Sequence, residues 1–326
     1  MILVPMARSF RDCAILLLVL CAPLASVQGA ERRYDLQPRA VAENVFYLEG
    51  ELEHFSFGNG GNIVNTGFIV GDDGVVVIDS GPSRLYGEQL REAIATVTDK
   101  PIAAVLITHL HPDHFLGNQA FDDVPVLALA ETVAGIEAQG ELFNDAMYRL
   151  VGPWMKGTEV RVPDILEASE AIELAGRELR LFALSGHSGS DLAVFDVDSG
   201  VLFAGDLVFY ERTPTTPQAD ISTWLDDLEV LRQVPFRALV PGHGPVVSDQ
   251  RAIAQTTLYL DWLATSLRMR AESGASMAEV LAPDPSGKAF VSLAVFLEEF
   301  QRSVAHLYPA MEEEALSRGQ VVQTER

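Results

Sequence analysis

Three of the chain's seven histidines fall within six residues, in Thr108-His109-Leu110-His111-Pro112-Asp113-His114. Imidazole nitrogens and carboxylate oxygens packed this densely are donors for a borderline divalent metal. In an extended loop His109 and His111 point to one side, while Asp113 and His114 can turn toward a neighbouring position. That spacing suits two metals better than one. Further candidates stand beside glycine at strand ends: Gly186-His187-Ser188-Gly189, Gly205-Asp206 and Pro241-Gly242-His243-Gly244-Pro245. Glycine lets the backbone crowd a small site. Taken singly, His187 or His243 reads as a hydrogen-bonded loop residue and Asp206 as a turn acid. With the first cluster they make a set of five histidines and two aspartates, suited to zinc, with iron or manganese also compatible.

The surrounding pattern shows what must position these groups. Short β-type runs at Val45 to Leu48, Asn62 to Val70 and Val75 to Ile78 are separated by Gly-rich and Asp-Gly turns, as in an antiparallel meander. An amphipathic helix over Leu85 to Val97 precedes Ile102 to Ile107, an apolar run of strand length that ends where the histidine cluster begins. Open α/β sheets put their sites at such strand ends. Helical segments follow around Glu131 to Gln139 and Glu141 to Met155. The strand signal returns at Ile172 to Leu174, at Leu179 to Leu184 and in a hairpin turning at Asp198-Ser199-Gly200. Ile221 to Gln233 reads as a helix, Ala238 to Val240 as a short buried strand, and almost everything beyond Pro245 as helix. Strands, helices, strands, helices in two similar halves imply sheets packed on each other with helices outside.

The chain has 326 residues, 48% of them hydrophobic and 21% charged, which excludes disordered and collagen-like classes. A formal charge of −23 argues against nucleic acid and anionic membrane surfaces as partners, leaving a small-molecule substrate. Residues 1–30 read as a secretory signal peptide: Arg8 and Arg11, an apolar run from Cys13 to Ala22, then Pro23 and small residues up to Ala30. The run is shorter than the ~20 residues of a membrane span, so no membrane insertion is expected after cleavage. A periplasmic or secreted protein follows. Cys13 and Cys21 both lie in that segment, so the mature chain would hold no disulfide, and its metals would be held by His, Asp or Glu. Residues 31–248 read as one domain and 249–326 as a helical C-terminal segment packed on it. The oligomeric state is left open.

The chain resembles the metallo-β-lactamase superfamily of metallohydrolases over Val45 to Gly244, starting at Asp79-Ser80-Gly81 and continuing through the motifs quoted above. The resemblance implies an α/β (α+β) fold, a four-layer αβ/βα sandwich with its site at one edge and a helical C-terminal extension. It implies that His109, His111 and His187 hold a first metal, Asp113, His114 and His243 a second, and that Asp206 bridges them. Asp79 would support the ligand loop, and Thr108 or Ser188 would hydrogen-bond ligands. Asp206 stands where true lactamases usually have cysteine or serine, which favours ester-type hydrolases over dedicated antibiotic resistance. Asn62 to Pro82, Gly205 to Pro214 with Trp224-Leu225, and Val240 to Pro245 look like the exported zinc metallohydrolases associated with quinoprotein and sulfur-oxidation systems.

These readings predict an exported dinuclear zinc hydrolase of an ester, lactone, thioester or related carbonyl bond. Its nucleophile would be a hydroxide shared by two zinc ions, with the pKa of water lowered from about 15.7 toward about 7. Asp113 and Asp206 carry the catalytic expectation, Asp113 by taking the proton. Substrate contacts are expected from the segment His54-Phe55-Ser56-Phe57-Gly58-Asn59-Gly60-Gly61 acting as a lid, through Phe55 and Phe57, and from Tyr210 as an oxyanion donor. Ordinary packing is the competing reading for all three aromatics. Three alternatives stay open: a mononuclear iron enzyme resembling persulfide dioxygenases, β-lactamase side activity, and a non-catalytic accessory protein of a periplasmic redox pathway.

Overall fold

A computed structural model describes residues 32–167 and 169–324. The signal-peptide expectation and both cysteines therefore lie outside the described residues. In chain order the first half contains β1 (Arg39–Ala42), β2 (Val45–Leu48), β3 (Thr66–Val70), β4 (Val75–Ile78), α1 (Arg84–Ala95), β5 (Ile102–Leu106), α2 (Pro112–Phe115), β6 (Val126–Ala128), α3 (Ala130–Val151) and β7 (Asp164–Ile165). The second contains β8 (Ala171–Leu174), β9 (Arg177–Leu184), β10 (Asp191–Asp196), β11 (Val201–Phe203), α4 (Ile221–Arg232), β12 (Ala238–Val240), α5 (Arg251–Glu272), α6 (Met277–Val280) and α7 (Phe296–Thr324). Among the described residues no helix is long and apolar enough to cross a membrane.

The first sheet has seven strands in the order β1 to β7, antiparallel up to β4 and parallel from β4 to β7. The second runs β12-β11-β10-β9-β8 and is antiparallel except for the parallel β11–β12 pair. Alternation along the strands explains the layering. Val75 and Val77 of β4 face a core shared with α1 and α3, while Val76 and Ile78 face the other sheet. In β10, Leu192 and Val194 meet the first sheet, and Ala193 and Phe195 meet a core with α4, α5 and α7. Both central strands are buried on two faces, so their sequences are uninterrupted apolar runs. The result is the expected four layers, helices, sheet, sheet, helices.

Two local expectations need correcting. Gly140 does not divide two helices: α3 runs through it from Ala130 to Val151. A Cβ there would lie 2.9 Å from Val160 Cγ1, so this glycine serves packing against the following loop. The strand expected from Asn62 begins only at Thr66. Asn65 instead ties this segment to the loop after β12, its N–H donating to Gly242 O at 2.8 Å and its amide nitrogen to Pro241 O and Gly244 O at 2.9 and 2.7 Å.

Candidate metal centre

The parallel pairs β4–β5 and β11–β12 end at one edge of the sandwich, and their C-terminal ends carry Asp79, His109, Asp206 and His243. His187 comes from the turn between β9 and β10, and Asp113 and His114 from α2, which Pro112 opens. All seven side chains implied by the resemblance are buried. They form two groups whose donor atoms lie within 4.8 Å of one another: His109, His111, His187 and Asp206, and Asp113, His114 and His243. Asp206 lies between them. Its Oδ2 is 3.4 Å from His187 Nε2 and 3.2 Å from His243 Nε2, and its Oδ1 is 3.2 Å from His114 Nε2. Gly242 permits this approach, since a Cβ there would lie 2.0 Å from Asp206 Oδ1.

Hydrogen bonds behind the rings of His109, His111, His114 and His243 select which nitrogen of each carries the proton, while His187 Nδ1 has no hydrogen-bond partner. The Thr108 N–H and hydroxyl donate to Asp79 Oδ1 and Oδ2 at 2.8 and 2.9 Å, so the hydroxyl oxygen can accept from His109 Nδ1 at 3.0 Å. His114 Nδ1 donates to Asp79 Oδ2 at 2.8 Å, and His243 Nδ1 to Ile63 O at 2.7 Å. His111 Nε2 donates to Gln218 Oε1 at 2.8 Å. In a neutral ring so held, the opposite nitrogen is bare and turned inward. His109 Nε2 and His187 Nε2 each stand 2.9 Å from His111 Nδ1. His109 and His111 thus oppose lone pair to lone pair, an arrangement that a cation between them relieves. Buried His114 Nε2 and Asp206 Oδ1 likewise have no hydrogen-bond partner, as ligand atoms held for a metal would. The residues fit a divalent metal.

Charge within the cluster is uneven. Burial, reinforced by neighbouring imidazoles, holds His109 well below the ordinary histidine range, and burial outweighs the pull of Asp206 to do the same for His187. Burial acts against protonation of His114 too, but Asp206, Asp79 and Asp113 together raise it well above that range. Asp206 is held well below the usual carboxylate range because His243 and His114 overcome its burial.

The remaining expected residues separate. Asp79 and Thr108 stand directly behind the ligand rings. Ser188 spends its hydroxyl away from the ligand rings: it donates to Asp191 Oδ1 at 2.8 Å, and Asp191 Oδ2 accepts the His187 and Ser188 N–H groups at 3.0 and 2.8 Å. Burial raises the Asp191 carboxyl to about 7. Sequence reasoning missed Asp191, as it missed Gln218, which is 107 residues from the histidine it holds.

The metal-ligand cluster opens into a cavity of about 480 Å³. Phe143, Met147 and Leu150 of α3 line it together with Phe55, and His54, Arg212, Glu299 and Arg302 supply polar groups. Phe57 does not line it: its side chain is 60% exposed, and its carbonyl accepts from Trp154 Nε1 at 2.9 Å. Tyr210 is also absent from the lining and interacts with Arg251 of α5, so the expected oxyanion donor is turned elsewhere. The expected lid segment is tied down from within. Asn59 Oδ1 accepts from the Ser56 and Gly61 N–H groups at 3.0 and 2.9 Å, and its Nδ2 donates to His54 O at 2.8 Å.

A model of the metallo-beta-lactamase superfamily matches residues 59–243, which contain every one of these ligands. The chain belongs to that superfamily. It is 29% identical over 245 residues to the human acyl-coenzyme A thioesterase MBLAC2, covering 68% of this chain and 86% of that protein. It is 22% identical over 223 residues to a linear primary-alkylsulfatase from a Pseudomonas species, covering 56% of this chain and 42% of that one. A metallo-beta-lactamase from Pontibacter korlensis shares the fold with a TM-score of 0.57 at 23% identity, over 69% of this chain and 99% of that one. Family and donor set together make the protein a metallo-hydrolase of the superfamily.

Proposed function

We propose that the protein is an exported dinuclear zinc hydrolase acting on a thioester or related ester of a small molecule. The observation that carries this reading is Asp206, set between two complete donor groups at the floor of a cavity with an apolar wall. His109, His111 and His187 would hold one zinc, Asp113, His114 and His243 the other, with Asp206 shared. Bound there, zinc supplies Lewis acidity toward a carbonyl oxygen and lowers the pKa of water toward neutrality. Asp113 lines the cavity beside the ligand rings, its Oδ2 3.5 Å from His243 Nε2, and is placed to take the proton that water loses on adding to the carbonyl. Returned to the departing sulfur or oxygen, that proton completes hydrolysis to an acid and a thiol or alcohol. Phe143, Met147 and Leu150 receive the acyl chain and keep bulk water from the reacting carbonyl.

The likeness to an acyl-coenzyme A thioesterase supports a thioester, and the seven-ligand set supports two metals over one iron. Export rests on the signal-like residues 1–30, and the place beside quinoprotein or sulfur-oxidation systems on the motif likeness alone. The strong negative charge supports a small-molecule substrate over nucleic acid. Elemental analysis of protein purified without chelator should find near two zincs per chain and turnover of short acyl thioesters. Asp206→Asn, which keeps the shape but removes the shared charge, should lower turnover about 100-fold or more. One iron per chain with oxygen uptake on persulfides, or an unchanged rate in Asp206→Asn, overturns the reading.

A further inference from the structure

Helix α3 lines the cavity with two rows of apolar side chains. Phe143 and Met147, four residues apart, make the inner row: Met147 is fully buried, and the Phe143 ring lies 6.3 Å from that of His111. Leu142, Ala146 and Leu150, again spaced by four, make an outer row along the same cavity. Leu142 is 68% exposed and Leu150 50% exposed. Elsewhere the exposed face of α3 carries charge, in Glu131, Glu137, Glu141, Asp145 and Arg149. Exposed leucines in line with a cavity mark a binding surface that the cavity alone does not enclose. The polar lining groups His54, Arg212, Glu299 and Arg302 lie outside α3, so α3 is the wall that a hydrocarbon follows.

We infer that the outer row of α3 carries a long acyl chain out of the cavity, so that the substrate is a thioester of a medium- to long-chain acid. Leu142 to Leu150 spans about 12 Å of helix. An extended chain with C–C bonds of ~1.5 Å covers that length in roughly ten methylenes. A short acyl group ends on Phe143 and Met147 and leaves both leucines in water. The inference rests on the hydrolase reading in placing the scissile carbonyl at the metal ligands, beside Phe143.

Calorimetric titration of the zinc-loaded protein with S-(2-oxoalkyl)-N-acetylcysteamines tests the row apart from turnover, because a methylene between carbonyl and sulfur blocks hydrolysis. Each methylene resting with one side on apolar surface tightens binding about twofold, against about fourfold for full burial. Lengthening the acyl portion from four to ten carbons should therefore raise affinity about 50-fold. In the double variant Leu142→Ser, Leu150→Ser that gain should fall below about tenfold. Both leucines are exposed, so the fold tolerates serine there. Tyr148→Ser, at an exposed position of α3 outside the cavity lining, should leave the gain intact. A gain below about tenfold in wild type, no measurable binding of the ten-carbon ligand, a gain that the double variant retains, or a loss that Tyr148→Ser shares overturns the inference. Hydrolysis of the matching S-acyl-N-acetylcysteamines is followed in parallel. A chain-length gain without cleavage removes the thioesterase reading and leaves the acyl row, whereas cleavage without the gain removes the acyl row alone.

Discussion

At the scale of single residues, the centre depends on groups that never reach a metal but decide which nitrogen can. Gln218 accepts from His111 Nε2 and so leaves Nδ1 bare. Gln218→Ala removes that acceptor, frees the ring to rotate or change tautomer, and should weaken metal affinity about 10–100-fold, as read by competition with a chromogenic chelator. Unchanged affinity would mean that packing against Phe143, 6.3 Å away ring to ring, suffices to orient His111. The ligands themselves were legible in the sequence because each is announced locally, by histidines two and three residues apart or by glycine at a strand end. Gln218 and Glu299 carry no such signal. They meet the site across long stretches of chain, and a glutamine or glutamate on its own reads as solvated surface. Phe57 and Tyr210 show the converse: an aromatic near a motif in sequence still has two sides to choose between, and neither of these turns into the cavity.

At the scale of elements, the strands were readable from their apolar runs, because burial on both faces leaves few other patterns. The loop between β2 and β3 was not, since its work is done by backbone groups. Asn65 joins that loop to the one carrying His243: its side chain accepts from Gly50 N at 3.1 Å and donates to Pro241 O and Gly244 O. Asn65→Ala strands three buried backbone groups at about 1–3 kcal/mol each, so a loss of several kcal/mol in urea unfolding is expected. Metal at the His243 group should be released first on dilution. Loss of stability with both metals retained equally would separate the loop's structural role from its role in the site. Trp224 anchors the other side. It is fully buried, its ring centroid is 4.9 Å from that of His187, and its Nε1 donates to Leu207 O at 2.9 Å. Trp224→Ala should cost about 3–5 kcal/mol, measured by denaturant unfolding.

At the scale of the whole molecule, the described residues from Arg33 onward form one compact unit, and its two ends are held by different means. The outer face of the second sheet is covered by α4, α5 and α7, with Tyr259, Leu263, Leu267, Phe300 and Val304 in its core. Deleting residues 249–326 would uncover that core and remove Glu299 from the cavity, so the shortened chain should be insoluble rather than a smaller active enzyme. At the site edge the fold gathers five imidazoles and two carboxylates out of water, and the desolvation and crowding of the imidazoles there are a cost that a cation offsets. Metal that binds only the folded state adds RT ln(1 + [metal]/Kd), about 4 kcal/mol at a free concentration near 1,000 Kd. For a chain of this size that is a rise in melting temperature on the order of 10 °C. Chelation should therefore lower the melting temperature by that amount, and added zinc should restore it. A melting temperature unmoved by chelation, with elemental analysis confirming that the metal has gone, would mean that the donor cluster is held at no cost by the sheets alone. The opposed lone pairs of His109 and His111 argue against that outcome, because a preformed pair 2.9 Å apart stores repulsion that only a proton or a metal removes.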